Sequence, residues 1–323
     1  MTENLADPQA MLPRRETAWG FAAAFIVMVA FFVLAPFVLY PVFLMEVLCF
    51  ALFACAFNLL IGYVGLVSFG HALYFGWASY FAAYAAKSWG WRPEFAVLLG
   101  TGAAAVLGAI AGLVAIRRQG IYFAMITLAL AQMMYLVALR VKMTGGEDGI
   151  QAVPRGHLFG MFNLGNDRTM YVFILVVVVA AFLLIYRIIN SPFGEVLKAI
   201  RENEQRTISL GYKTDRYKLL AFVLSATLAG LAGSLKALVF QLASLTDVHW
   251  NMSGEVVLMT LVGGLGTVFG PVAGAFIVVA MENYFSAFGQ WVLVIQGAIF
   301  VFCVLLFRRG IVGELANVLH IKL

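Results

Sequence analysis

The chain has 323 residues, of which 63% are hydrophobic and 11% charged, with a mean hydropathy of +0.95. A soluble domain averages roughly 45–50% apolar and about 25% charged residues, so too few polar groups are present to cover a water-facing surface, and a soluble globular protein is excluded. The formal net charge of +5 would suit a nucleic-acid binder, but in a membrane protein basic residues collect in cytoplasmic loops, so their placement decides and no nucleic acid is expected as a partner.

The N-terminal segment 1–18 is polar, and the apolar run after it is far longer than a signal-peptide core. It reads as a retained span behind a cytoplasmic segment. No charge occurs between Glu16 and Glu46. From Val47 to Ala86 His71 is the one ionisable side chain besides Cys and Tyr, which predicts two helices meeting near Gly62–Gly70. A span needs about 20 mostly apolar residues, and further spans are expected near 95–116, 120–139, 170–189, 218–242, 256–281 and 283–307. The fold class is therefore an all-α polytopic membrane protein with about eight to ten transmembrane helices. Residues 19–309 form its membrane domain and 310–323 a C-terminal tail. Cys49, Cys55 and Cys303 lie in apolar stretches with neither disulfide nor metal-ligand spacing.

Basic residues orient the chain. Arg14 and Arg15, Arg117 and Arg118, and the seven basic residues of 187–218 fall on one side if spans alternate, which makes that side cytoplasmic. Simple alternation would then leave Arg308 and Arg309 outside. The conflict is resolved if 254–282, broken by Gly263, Gly264, Gly266, Gly270 and Pro271, is re-entrant and does not cross once. An irregular backbone at membrane depth is tolerated where it lines a cavity or is buried in protein. An ordinary kinked helix with close glycine packing is the alternative.

Residues 190–217 are polar and read as two short helices. Ser191 is an N-cap with Pro192 in the first helical position. Glu195 and Lys198 are spaced to pair, as are Glu202 and Arg206, while Asn203 caps a second helix and Gly211 ends it. Val196, Leu197, Ile200, Ile208 and Leu210 form an apolar face, suited to docking on a protein or lying on the bilayer. In the second apolar hairpin, Asn58, Ser68, Gly70 and His71 are small or polar groups at membrane depth. They either line a path at an unwound turn or serve tight packing.

Four blocks together resemble a known family. They are Asn58–Ala72 (NLLIGYVGLVSFGHA), Arg118–Ala129 (RQGIYFAMITLA), the 191–222 segment and Gly263–Gly274 (GGLGTVFGPVAG). In this order they resemble the permeases of branched-chain amino acid ABC importers, of the LivM type. The resemblance implies that 190–217 is a coupling loop, with Pro192, Gly194, Ala199, Ile200, Arg201, Glu202, Asn203 and Gly211 seated in a groove of the ATPase subunit. It implies a second, LivH-type permease, two cytoplasmic ATPases, a periplasmic binding protein and a multi-pass place in the bacterial inner membrane. Gly-Lys occurs nowhere in the chain, so no P-loop is present. No cofactor is expected, and ATP would be bound by partner subunits.

The candidate translocation path comprises Asn58, Ser68, Gly70, His71, Gly263, Gly264 and Gly270. A faint echo links Phe69–Gly70 with Phe269–Gly270. The turn Gly145–Gly149 would order the outer mouth or be a plain turn, and Trp89 and Trp91 read as an interfacial belt. Import of urea or short amides is the nearest alternative function. An ion-coupled secondary transporter is less favoured, because Glu46, Glu255 and Glu282 sit at predicted span ends and Lys236 is the most deeply placed charge. A membrane enzyme using Ser68 and His71 lacks the spacing of a nucleophile elbow.

Overall fold

The computed structural model describes residues 15–285, single positions between 289 and 305, and residues 310–318. Residues 1–14, most of the expected 283–307 span, Arg308, Arg309 and the end of the tail lie outside the described residues. The long helices are α1 (Arg15–Leu34), α2 (Pro41–Tyr63), α3 (His71–Ser88), α4 (Pro93–Ala115), α5 (Ile121–Arg140) and α6 (Asp167–Ile189). Two short helices follow, α7 (Pro192–Glu202) and α8 (Glu204–Ser209), then α9 (Thr214–Phe240), α10 (Trp250–Gly263), α11 (Gly270–Phe285) and α12 (Gly310–Val318). Among the described residues, six helices are long and apolar enough to cross a membrane. Three more, α3, α10 and α11, have 18, 14 and 16 residues. The protein is a multi-pass, all-α membrane protein.

Burial sorts the helices. In α2, 89% of the span is buried within the protein, against 33% for α4, 28% for α5 and 33% for α6; α2 is thus an inner post and the others present a face to lipid. α6 shows how sequence sets this, since Met170, Ile174, Val178, Ala181, Ile185 and Ile189 recur at helical spacing as its buried stripe. The second inner helix, α9, packs most extensively on α4, α3 and α2. Small residues permit the approach. A Cβ on Gly233 would fall on the Phe75 carbonyl, one on Gly230 on Ala104, and one on Gly108 on Ala226.

One end of the bundle carries Arg117, Arg118 and the α7–α8 loop. The other is capped by short antiparallel strands, Ile150–Gln151 against Leu242–Ala243 and His157–Leu158 against Phe162–Asn163. Arg155 joins these layers, bonding Asp167 at 2.6 Å and the Val239 carbonyl at 2.8 Å. The Gly145–Gly149 turn packs here, with Gly149 against the Ala243 carbonyl. Trp89 and Trp91 are exposed at the same end, their rings 5.1 Å apart.

Residues 254–282 are not one kinked helix. α10 and α11 pack closely as a hairpin whose turn, 264–269, lies beside Gly62 at the basic end. Gly274 approaches the Met259 carbonyl and Gly263 the Gly270 carbonyl. At about 1.5 Å per residue, both helices are shorter than the roughly 30 Å hydrocarbon core. α10 begins below the strand end, because the chain turns inward after α9 and buries Asp247 against Lys236. α11 then rises until Phe276 and Tyr284 meet Phe43, near the start of α2. Gly310 returns to the basic end, against Gly263 and Gly264. The hairpin thus brings the chain back to the end it came from, as the re-entrant expectation requires.

Candidate functional site

The loop between α6 and α9 is built by local caps. Ser191 Oγ accepts from the Gly194 amide at 3.3 Å and donates to the Ile188 carbonyl at 2.6 Å, with Pro192 opening α7. Gly194 admits no side chain, because a Cβ would strike the Ile189 carbonyl; α7 is folded hard against the end of α6. Lys198 bonds Glu195 at 2.8 Å. Asn203 is extended and breaks the helix, and its Oδ1 accepts from the Arg206 amide at 3.0 Å to start α8. Gly211 closes it with φ of +91°, a conformation open to glycine at little cost.

Glu204 fixes the loop to the bundle. Its carboxylate pairs with the buried Lys218 ammonium and accepts from Thr214 Oγ1 at 3.1 Å and Gln119 Nε2 at 2.8 Å. The expected Glu202–Arg206 pair does not form, since the helix breaks at Asn203 between them. The apolar face also divides. Leu197 and Ile200 are buried in the protein, whereas Ile208, Leu210 and Tyr212 are 46%, 69% and 43% exposed. Pro192, Glu202 and Asn203 are exposed and Ala199 half-buried. What this loop offers a partner is the tip after Asn203 and the outer side of α7.

The two broken segments meet beneath it. α2 ends at Tyr63 and the chain runs through Gly65, at φ of +82°, to α3. Asn58 crosses to the hairpin turn, its Nδ2 donating to the Thr267 carbonyl at 2.8 Å and its Oδ1 accepting from the Gly266 amide at 3.0 Å. Gly263, Gly264 and Gly270 pack backbone to backbone in that turn. Arg201 reaches down from α7 and donates to the Gly62 carbonyl. A cavity of about 450 Å³ opens beside it, lined by Gly62, Tyr63, Lys198, Arg201, Glu202 and Gly266.

Ser68, Gly70 and His71 lie apart from this junction. Ser68 Oγ accepts from the Gly70 amide at 3.2 Å, and the Phe69 amide donates to Thr127 Oγ1 of α5 at 3.2 Å. His71 Nε2 sits 2.9 Å from Ser225 Oγ of α9. The Ser225 hydroxyl has one proton and gives it to the Ala56 carbonyl, so His71 carries its hydrogen on Nε2. Its Nδ1 has no hydrogen-bond partner among the described residues, and Phe57, Tyr74 and Phe222 surround the ring edge-on. Ser68 and His71 therefore do not face one another. Gly70 precedes α3 and Gly270 opens α11, so the faint sequence echo marks two helix starts after breaks.

Sequence reasoning missed one grouping. The sequence puts Glu46, Glu255 and Glu282 at predicted span ends, but α2, α10 and α11 bring them together around the Lys236–Asp247 ion pair. The inward turn after α9 is the cause. Lys236 also lies over the Phe50, Phe75 and Phe240 rings at 5.5–5.8 Å. Its depth in an apolar run was the available signal that a buried acid had to lie nearby.

Comparison with known proteins accords with this architecture. Residues 39–304 match the model of the branched-chain amino acid transport system / permease component. The LivM permease protein of the high-affinity branched-chain amino acid transport system of Escherichia coli is 26% identical over 293 residues, covering 82% of this chain and 68% of that protein. The LivM counterpart of Salmonella typhimurium is 25% identical over 288 residues, with the same coverage of 82% and 68%. The ribose import permease RbsC of Bacillus subtilis is 28% identical over 188 residues, 56% of this chain and 58% of its own. No solved structure matches. With four-fifths of the chain inside the matched region and the LivM proteins similar along most of it, the chain belongs to the family of branched-chain amino acid transport permeases.

Proposed function

We propose that the protein is the LivM-type half of an ABC importer that moves branched-chain amino acids into the cytoplasm of a bacterium. The observation that carries this reading is the capped loop 190–217, pinned by Glu204 to Lys218 while Ile208, Leu210 and Tyr212 face outward. A solvated loop needs no such order unless a protein docks on it. The ATPase subunits would seat on that tip, bind ATP and hydrolyse it, and this chain would do no chemistry of its own. The basic end is then cytoplasmic, and the strand-capped end faces the periplasm, where a binding protein delivers substrate.

A second permease of LivH type completes the path, and the two halves alternate their access. Asn58, Gly263, Gly264 and Gly270 form the inner seam of that path, and Ser68, Gly70 and His71 its wall on the α5–α9 side. An apolar amino acid crosses with little polar help, so selection rests largely with the external binding protein. The acids gathered around Lys236 are the observation that favours a second reading, an ion-coupled importer.

Uptake of labelled leucine, isoleucine, valine and urea in cells with and without this gene tests both. ATP is depleted in parallel with the proton gradient preserved. Loss of branched-chain uptake that also fails without ATP supports the importer. Uptake that survives ATP depletion but collapses with the gradient selects ion coupling, and loss of urea uptake alone moves the substrate to short amides.

A further inference from the structure

Gly62 carries one of the four carbonyls that a helix leaves unpaired at its C-terminus, at the negative end of the α2 dipole. The group that bonds it comes from 139 residues away in sequence: Arg201, in the last turn of α7. The Arg201 stem crosses the break as well, since a Cβ on Gly65 would lie 3.1 Å from its Cγ. A Cβ on Gly266 would lie 3.3 Å from Arg201 Nη1 and 3.4 Å from the Gly62 carbonyl. One side chain therefore touches the end of α2, the α2–α3 break and the α10–α11 turn. Asn58 ties that turn to α2 through two hydrogen bonds, so the breaks are held as one body.

We infer that Arg201 is a positioning residue that transmits displacement of α7 to both broken segments through the Gly62 carbonyl. The inference rests on the reading of 190–217 as the ATPase-coupling loop. Guanidinium suits the task because its donors form a rigid planar fork, whereas a lysine ammonium is a compact point charge on a flexible stem. Leu197 and Ile200 of the same helix are buried in the bundle, so α7 is packed on the elements that Arg201 bridges. The cavity beside Arg201 leaves room for the guanidinium to change partners as the loop shifts.

The test uses the complete importer, with both permeases, the ATPases and the binding protein, in proteoliposomes. Leucine uptake and phosphate release are measured together and expressed as phosphate released per leucine. Arg201→Ala should raise that ratio at least fivefold, and Arg201→Lys should raise it less, because one donor still reaches the carbonyl. A ratio unchanged in both variants, whatever their absolute rates, overturns the inference, since a merely structural role lowers both activities together. If the alanine variant does not assemble, the lysine variant alone decides, by a ratio above or equal to that of the parent protein. Leu210→Glu, on the exposed tip, separates the two claims. ATPase subunits that still co-purify with this variant and drive uptake contradict the coupling-loop reading itself. Loss of the ATPase from Leu210→Glu beside an unchanged Arg201 ratio removes the Arg201 inference alone.

Discussion

The bundle uses glycine in two ways, and the contrast between α3–α4–α9 and the seam of α2 with the α10–α11 turn separates them. In the first region Gly108, Gly230 and Gly233 lie inside regular helices, where their missing side chains let neighbouring helices touch. In the second, Gly65, Gly264 and Gly266 have φ of +82°, +126° and +75°, and they lie where α2 and α10 end, at the basic end of the bundle. The first use gives a block closed by side-chain and backbone packing, with buried polar groups such as Ser225 and Ser234 bonded to backbone carbonyls. The second exposes backbone amides and carbonyls that must be satisfied by other elements, which is what Asn58 and Arg201 supply. A region closed by side-chain packing resists movement. One closed by a few hydrogen bonds depends on each of them.

The largest effect should come from the ion pair in the first block. Lys236→Ala leaves Asp247 buried and unpaired, and breaking such a pair costs about 3–5 kcal/mol. Unfolding in mixed micelles should show it, and adding Asp247→Asn should recover part of the loss. Gly233→Val tests the packing use of glycine directly. Its branched side chain would meet the Phe75 backbone, and overpacking of this kind costs about 1–3 kcal/mol in the same assay. Ser225→Ala strips His71 Nε2 of its partner and should cost about 1–3 kcal/mol, the penalty of a buried group left unsatisfied.

Gly211→Ala sharpens the other side of the comparison. Nothing lies near its missing Cβ, so only the left-handed backbone is strained, at about 1–2 kcal/mol. A loss as large as that of Gly233→Val at equal packing volume would erase the distinction. The smallest effect belongs to Lys198→Ala, where an exposed pair spaced three residues apart on α7 contributes about 0.2–0.5 kcal/mol. Added salt should shrink even that difference.

Much of this was legible in the sequence. The charge-free intervals located the spans, and Ser191, Pro192, Asn203 and Gly211 marked both helices of the loop, because caps are local events with local signals. The broken hairpin was legible from its glycines and from the basic residues that simple alternation would misplace. What could not be read was which surfaces meet. Leu197 and Leu210 are chemically alike, yet one is buried in the bundle and the other is 69% exposed, because Leu197 lies on α7 and Leu210 ends α8 beyond the break at Asn203. The use of a glycine, for packing or for a break, is likewise decided by a partner far away in sequence. The gathering of Glu46, Glu255 and Glu282 around Lys236 depends on where α10 begins, which no local pattern states. His71 was singled out, but its partner Ser225 was not, being one small hydroxyl in a long apolar helix.

The Asn58 amide has a consequence for how the protein is made. Its two bonds go to residues 208 and 209 positions further along the chain. At about 5–20 residues per second of synthesis, that distance is roughly 10–40 s. Throughout this interval α2 stands in the bilayer with a carboxamide whose native partners do not yet exist. A nascent chain stalled before residue 266 would lack both native partners of that amide, so the α2 end of the seam closes only when the α10–α11 turn has been made.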